Sequence, residues 1–202
     1  FMVEVVNLTA AQPFSPIAVI AHTEGMLWQI GEPASEALEI MAEGGDNSEL
    51  LAAEMTMQAA SDESPLPPGE QVTLTLTTGE LDSLKISLAT MLVNTNDAFT
   101  GLNAIDVSSL AVNESLSRTS FAYDAGTEAN NELVNGGGAV GVLGIPANPG
   151  GNGGVNGTGV TTNEINQTVH IHRGNIGDVE SDGGISDVDS RIHRWLNPVE
   201  KV

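Results

Sequence analysis

The 202-residue chain contains no cysteine, which excludes thiol catalysis, thiolate metal sites and disulfide bonds. It has only six lysines and arginines against 27 acidic residues, a formal net charge of −21. This balance argues against nucleic acid and anionic membrane surfaces as partners, because both require clustered basic residues. It suits cations or cationic partners, or simply solubility. No run of 18 or more apolar residues is present, so no segment is predicted to insert into a membrane.

The apolar pattern predicts a mainly β chain. Residues 72–77 alternate strictly between polar and apolar, as a half-buried strand does, and residues 86–93 are more uniformly apolar, as a central strand would be. Further strands are predicted at residues 1–8, 104–112, 119–123 and 164–172 and near Val199. We therefore expect an antiparallel β-sandwich that forms one domain over residues 1–202, with a Gly- and Asn-rich surface loop at about 135–160.

One helical insertion is predicted near residues 33–60. Pro33 is suited to the first turn of a helix over residues 34–43, and Gly44-Gly45 would end it. Asp46 and Glu49 have the spacing of a capping box, which predicts a second helix from there through about Ala60.

Two acidic loops about 25 residues apart offer the ligands that a hard cation prefers. Residues 94–101 and 123–132 are rich in Asp, Glu and Asn, contain Gly, and follow apolar runs. Ca²⁺ binds six to eight such oxygens in a flexible cage. The alternative is a pair of polar turns without a ligand, which these residue types also form. Neither loop has the twelve-residue helix-loop-helix calcium pattern.

The four histidines suggest a different metal site. His170 and His172 would lie on the same face of a strand, which is half of a zinc or copper site. His22 and His193 are the candidates to complete it, since the first and last strands of a sandwich often lie close together. Such a site would lose metal below about pH 6.5, whereas a carboxylate calcium site would persist towards about pH 4. The alternative is that all four are ordinary polar residues near strand ends.

Catalysis has little support in the sequence. The chain has no Gly-x-Ser-x-Gly nucleophile elbow and no His-Glu-x-x-His helix. Acidic pairs are plentiful, but 27 acids produce such pairs by chance. We expect a protein that is not an enzyme.

Several short segments, in order along residues 1–132, resemble the spondin N-terminal domain family in its cysteine-free bacterial form. The most specific is Asp124-Ala125-Gly126-Thr127. The closing Trp195-Leu196-Asn197-Pro198-Val199 is similar to the family's C-terminal strand. The other segments that carry the resemblance are residues 7–9, 12–16, 21–22, 31–36, 42–48 and 96–101.

The resemblance implies a C2-like antiparallel β-sandwich with one bound Ca²⁺ and no catalytic activity. It assigns two metal ligands to Asp97 and Asp124. The family's third ligand is a Glu on the strand before the first loop, and residues 72–78 carry no acid there. Glu80 is the nearest candidate after that strand and Glu70 lies just before it; a backbone carbonyl near Leu92, or water, is the alternative.

These observations together predict a secreted, periplasmic or cell-surface protein in its mature form, without a signal peptide. We expect a non-catalytic calcium-binding module for adhesion, with an extracellular glycan or a protein as partner. The alternative function is a copper- or zinc-binding protein built on the histidines. Within the acidic loops, Glu128 is expected to be a solvated group or to lie outside the ligand shell.

Overall fold

A computed structural model describes residues 1–79, 82–134, 141–149, 153–160 and 166–202. Ten strands make up two antiparallel sheets. They are β1 (Met2–Asn7), β2 (Ala18–His22), β3 (Gln58–Ser61), β4 (Gln71–Thr75), β5 (Lys85–Met91), β6 (Ala98–Asp106), β7 (Thr119–Ser120), β8 (Ala122–Asp124), β9 (His170–Ile171) and β10 (Glu200–Lys201).

The strand order is β4-β1-β10-β7 in the smaller sheet and β3-β2-β5-β6-β8-β9 in the larger one. Neighbouring strands are antiparallel throughout. The two sheets pack face to face around one apolar core, so the protein is a β-sandwich, as the sequence predicted.

The larger sheet is covered on both faces. One face of β2 places Val19 and Ala21 in the core between the sheets, and the other face places Ala18 and Ile20 against the helices. All five residues of β2 and the last six of β5 are buried, which explains why β5 is apolar along most of its length. A second core thus forms on the helical side, where Phe99 packs edge-on against Trp28 with ring centroids 5.1 Å apart.

The two helices are α1 (Glu36–Gly44) and α2 (Ser48–Leu51). Helix α1 begins later than Pro33, because the Ser35 hydroxyl caps it by accepting a hydrogen bond from the Leu38 amide. Its C-terminal cap is Gly45, with φ of 73°. With nine and four residues, the helices of the described chain are too short and too polar to cross a bilayer.

The second helix is much shorter than the sequence predicted. Helix α2 ends at Leu51, and residues 58–60, expected to be helical, belong to β3 instead. The reason is tertiary: β3 pairs with β2 from Ala18↔Ser61 to Ala21↔Gln58, a long-range pairing that local helix signals do not report.

Several strand boundaries also differ from the prediction. Strand β6 starts at Ala98, so the second half of the first acidic loop is strand, and it ends at Asp106 rather than continuing to Val112. The strand predicted at 164–172 is reduced to His170–Ile171 among the described residues, and positions 161–165 lie outside them.

The Gly- and Asn-rich C-terminal part is held by buried carboxylates rather than by long strands. Glu132 accepts hydrogen bonds from the amides of Ile176 and Gly177, at 2.6 and 2.8 Å, and from the Ser186 hydroxyl. Asp187 accepts from the amides of Val134 and Gly157. These bonds satisfy backbone donors that have no strand partner.

Candidate functional site

Asp97 and Asp124 lie side by side at one end of the larger sheet. The register of β6 and β8 pairs Ala98 with Asp124, and the Ala125 amide donates to the Asp97 carbonyl at 3.2 Å. The side chains of both aspartates are buried, with exposed fractions of 0% and 2%. Sheet pairing therefore brings the two acidic loops together.

The Asp97 carboxylate is only half satisfied. Its Oδ2 accepts hydrogen bonds from the amides of Thr127 and Glu128, at 2.9 and 3.1 Å, and from the Thr127 hydroxyl at 3.3 Å. Its Oδ1 is buried and has no hydrogen-bond partner. Burial raises the pKa of Asp97, and the neighbouring Asp124 charge raises it further. The site therefore favours a cation or a proton that can bind Oδ1.

Asp124 is held more completely. Its Oδ1 accepts from the Gly126 amide at 2.9 Å, and its Oδ2 accepts from the Asn130 side-chain amide at 2.7 Å. The Nε2 atoms of His170 and His172 lie 3.6 and 4.0 Å from the same Oδ2. The carboxylate is therefore fixed in orientation before any ligand binds.

The Asn96 side chain links the two loops through hydrogen bonds. Its amide nitrogen donates to Glu128 Oε2 at 3.1 Å and to Asn131 Oδ1 at 2.9 Å, and its Oδ1 accepts from the Glu132 amide. The sequence analysis included Asn96 in the first loop but gave it no role. Its position beside Asp97 is the only signal that could have suggested one.

Glu128 adds another buried carboxyl group near Asp97, and Glu43 in turn lies near Glu128. Glu128 is 7% exposed, so the expectation of a solvated group is wrong. Its Oε2 accepts from the Gly144 amide, Oε1 has no partner, and burial raises its pKa to about 7. Glu43, at the end of α1, accepts from the Gly141 amide and also keeps a free Oε1, and burial raises its pKa.

The residues at Asp97 and Asp124 fit calcium in donor type. Carboxylate oxygens are the ligands Ca²⁺ prefers, and the unpartnered Asp97 Oδ1 is a buried oxygen that a cation would satisfy. The two carboxylates supply only part of the six to eight oxygen ligands that Ca²⁺ takes. The described residues contain no group of three or more acidic or histidine side chains arranged to hold a metal. The remaining ligands would have to be backbone carbonyls and water.

Of the suggested third ligands, only Glu70 and the Leu92 carbonyl belong to the described residues, and neither is placed to complete the shell. Glu80 lies outside the described residues. Glu70 is exposed, just before β4 in the smaller sheet. The Leu92 carbonyl already accepts a hydrogen bond from the Thr95 hydroxyl at 2.6 Å. Because burial raises the Asp97 pKa, protons would also compete with a cation at higher pH than the expected value of about 4.

The four histidines do not gather in one place. Strands β2, which carries His22, and β9 are separated in the larger sheet by β5, β6 and β8. The His22 ring bonds the Ser87 hydroxyl and the Glu24 carbonyl, and His193 bonds the Asp189 amide and the Pro149 carbonyl. Both rings are therefore committed to structural hydrogen bonds.

His170 and His172 are neighbours on the same side of Asp124, but their rings differ in availability. The His172 Nδ1 accepts from the Gly174 amide, so its Nε2 carries the proton donated to Asn130 Oδ1 at 2.9 Å. Burial lowers the His172 pKa to about 3, which keeps the ring neutral. His170 donates Nδ1–H to the Thr168 carbonyl and turns Nε2 towards Asp124. Only His170 offers a ring nitrogen to a metal.

A third acidic loop, residues 178–189, has acids at positions 1, 3, 5 and 12 and Gly at position 6, a spacing related to helix-loop-helix calcium loops. Asp178 accepts hydrogen bonds from the amides of Glu180, Ile185 and Ser186. Asp189 forms a two-bond pair with Arg191, which lowers the Asp189 pKa to about 2. These carboxylates stabilise the loop through its own backbone and Arg191.

Comparison with known proteins adds no family assignment: no protein-family model and no curated protein matches this chain.

Proposed function

We propose that this protein is a calcium-binding β-sandwich that acts as a non-catalytic binding module. The observation that carries the proposal is the buried pair of Asp97 and Asp124, in which Asp97 Oδ1 has no partner. Two adjacent carboxylates in a buried site repel each other when both are ionised. A divalent cation between them would remove that repulsion and satisfy the unpaired oxygen.

In this proposal Asp97 and Asp124 hold the ion, and the ion stabilises the junction of the two loops. Asp97 belongs to the turn that enters β6, and Asp124 ends β8, so a shared cation would cross-link segments that lie far apart in sequence. Asn96 and Asn130 keep the two loops and the Asp124 side chain in place. The effect is structural: binding free energy becomes folding free energy.

Burial favours a binding role over catalysis at this site. With exposed fractions of 0% and 2%, Asp97 and Asp124 present no surface to an organic substrate, which would have to open the loops to reach them. The ordered resemblance to spondin domains supports an extracellular or cell-surface location and a glycan or protein partner. The net charge of −21 favours a partner with a cationic surface.

The test is the melting temperature of the protein after chelation, with and without millimolar Ca²⁺. We expect Ca²⁺ to raise it, because a ligand at 100 times its dissociation constant stabilises the folded state by about 2.7 kcal/mol. For a chain of this size, that corresponds to a shift of about 5–10 °C. Identical melting curves with chelator and with Ca²⁺ would refute the proposal.

Asp97→Asn and Asp124→Asn should each abolish the calcium-dependent shift. Asp106→Asn is the matched control, because Asp106 is exposed at the opposite end of β6 and its Oδ1 bonds to Ser108 can be kept by Asn. Glu128→Gln should weaken calcium binding less than Asp124→Asn, measured by calorimetric titration. Equal losses would mean that Glu128 is itself a ligand.

A transition-metal site is the alternative, supported by His170 Nε2 lying 3.6 Å from Asp124 Oδ2. Titration of the chelated protein with Zn²⁺ and Cu²⁺ distinguishes the two, with His170→Ala as the diagnostic variant. Tight zinc or copper binding that His170→Ala removes would favour the alternative. If calcium binds and His170→Ala leaves it unchanged, the calcium proposal stands.

A further inference from the structure

A half-enclosed cavity opens between the two sheets, at the end where the smaller sheet is incomplete. Strand β10 pairs with β1 only at Val6 and Asn7, so the beginning of β1 has no described strand on that side. The inner face of β5 and β6 is therefore left partly uncovered. The resulting cavity has a volume of about 310 Å³, at the lower end of the range of about 300–1,000 Å³ that ligand pockets occupy.

The walls of this inter-sheet cavity are apolar side chains from both sheets. Ile86 and Leu88 of β5 and Leu102 and Ile105 of β6 line one wall, and Val3 of β1 lines the other. Leu102 and Ile105 are only partly buried, although they pack against the main core. Filling the cavity with an apolar group would remove this surface from water, which favours binding.

One cationic side chain lies on the inner face at the mouth. Arg118 and Val202 exchange both backbone hydrogen bonds, each 2.8 Å long, so their side chains lie on the same side of the sheet. Val202 packs against the core between the sheets, and Ser120, two residues after Arg118, is buried on that side. By the alternation of side chains along a strand, Arg118 extends over the cavity that it lines.

The other charged side chains that line the cavity lie on the outer face of their strands. The Glu4 carboxylate accepts from the Gln71 side chain on the neighbouring strand, and Glu4 alternates with the buried Val3 and Val5. Lys201 is exposed and alternates with the buried Glu200. Among the side chains of the described residues, Arg118 is therefore the one that places a charge at the inner mouth.

The Arg118 guanidinium retains most of its hydrogen-bonding capacity. Its one side-chain hydrogen bond runs from an Nη atom to the Ser117 carbonyl at 3.0 Å. No carboxylate of the described residues lies within 4.0 Å of it, although the chain carries 27 acidic residues. A guanidinium presents five N–H donors in a fork that matches a carboxylate. Its position above an apolar cavity is the arrangement that recognises an acid with an apolar body.

We propose that the inter-sheet cavity binds a small amphipathic organic acid, with its alkyl or ring portion between the sheets and its carboxylate at Arg118. The net charge of −21 repels anions in general, so binding here depends on this local guanidinium and on apolar burial. The proposal is independent of the calcium site, whose residues do not line this cavity.

The experiment is calorimetric titration of the chelated protein with decanoate and with decanol, which has the same chain length and no charge. We expect saturable binding of one decanoate per protein and binding of decanol at least tenfold weaker. Arg118→Gln should weaken decanoate binding at least tenfold and leave decanol binding unchanged. Arg194→Gln, which removes an exposed arginine elsewhere, should have no effect on either ligand.

Two variants test whether the ligand lies inside the cavity. Leu102→Trp and Ile105→Trp each fill it from β6, and whichever of them retains the wild-type circular dichroism spectrum should no longer bind decanoate. The proposal is overturned if decanoate does not bind saturably at millimolar concentration, if decanoate and decanol bind equally, or if Arg118→Gln binds decanoate like the wild type. Retained binding in a folded cavity-filling variant would overturn it as well.

Discussion

Glu200 should make the stability of this protein fall as the pH rises from 5 to 7. Its side chain on β10 is fully buried between the sheets, where Oε2 accepts a hydrogen bond from the Thr100 hydroxyl and Oε1 has no partner. Burial raises the pKa of Glu200 from 4.5 to about 8. The folded protein therefore keeps a proton at pH 7 that the unfolded chain releases.

The direction and size of the effect follow from proton linkage. Because the folded pKa lies above the unfolded one, this contribution to stability is complete below about pH 4.5 and is lost as the pH rises towards about 8. Between pH 5 and 7 the loss is about 2–3 kcal/mol, which corresponds to about 4–12 °C in melting temperature for a chain of this length.

Glu200→Gln tests the argument, because glutamine has the shape of the protonated acid and does not ionise. Urea unfolding in chelator at pH 5 and pH 7 should show the variant gaining about 2–3 kcal/mol on the wild type between the two pH values. Glu4→Gln, at an exposed position of β1, is the matched control and should show no such gain. A wild-type-to-variant difference that stays constant within about 0.5 kcal/mol would refute the burial argument.

Two further predictions concern packing, and both are measured by urea unfolding. Gly126→Ala should destabilise more than Gly69→Ala, since both glycines have positive φ but a Cβ at Gly126 would lie 2.6 Å from the Thr168 amide nitrogen, whereas Gly69 faces open space. We expect about 1–2 kcal/mol at Gly69 and at least about 1 kcal/mol more at Gly126, and equal losses would contradict the contact. Phe99→Ala, which removes a fully buried ring, should cost about 3–5 kcal/mol, whereas Phe121→Ala, at a residue that is 47% exposed, should cost far less. A small loss at Phe99 would mean that the second core does not need this ring.

The sequence was informative where structure is local or periodic. The alternation at residues 72–77 corresponds to β4, and the mostly apolar stretch at residues 86–93 corresponds to β5. Both patterns were readable because the number of buried faces of a strand decides which of its positions are apolar. Local signals also predicted α1, although the helix begins at Glu36 and not at residue 34. The same signals failed for residues 58–60, where pairing with β2 outweighs helix propensity.

The sequence identified only part of the candidate site. Its loops were identifiable by composition, and Asp97 and Asp124 by resemblance, but their adjacency is a consequence of the β6–β8 register. The exclusion of His22 from the neighbourhood of His170 likewise follows from the strand order. Sheet order depends on contacts between segments far apart in the chain, which no local pattern specifies.

Burial of individual charges was decided by the tertiary structure alone. Glu128, Glu43 and Glu200 belong to the same set of 27 acids as many exposed side chains, and nothing in their sequence neighbours separates them. The sequence likewise gave no sign of a role for Arg118. Its position over the cavity follows from its backbone pairing with Val202. A side chain's pKa and its availability to a ligand depend on which atoms surround it, and packing between distant segments determines those atoms.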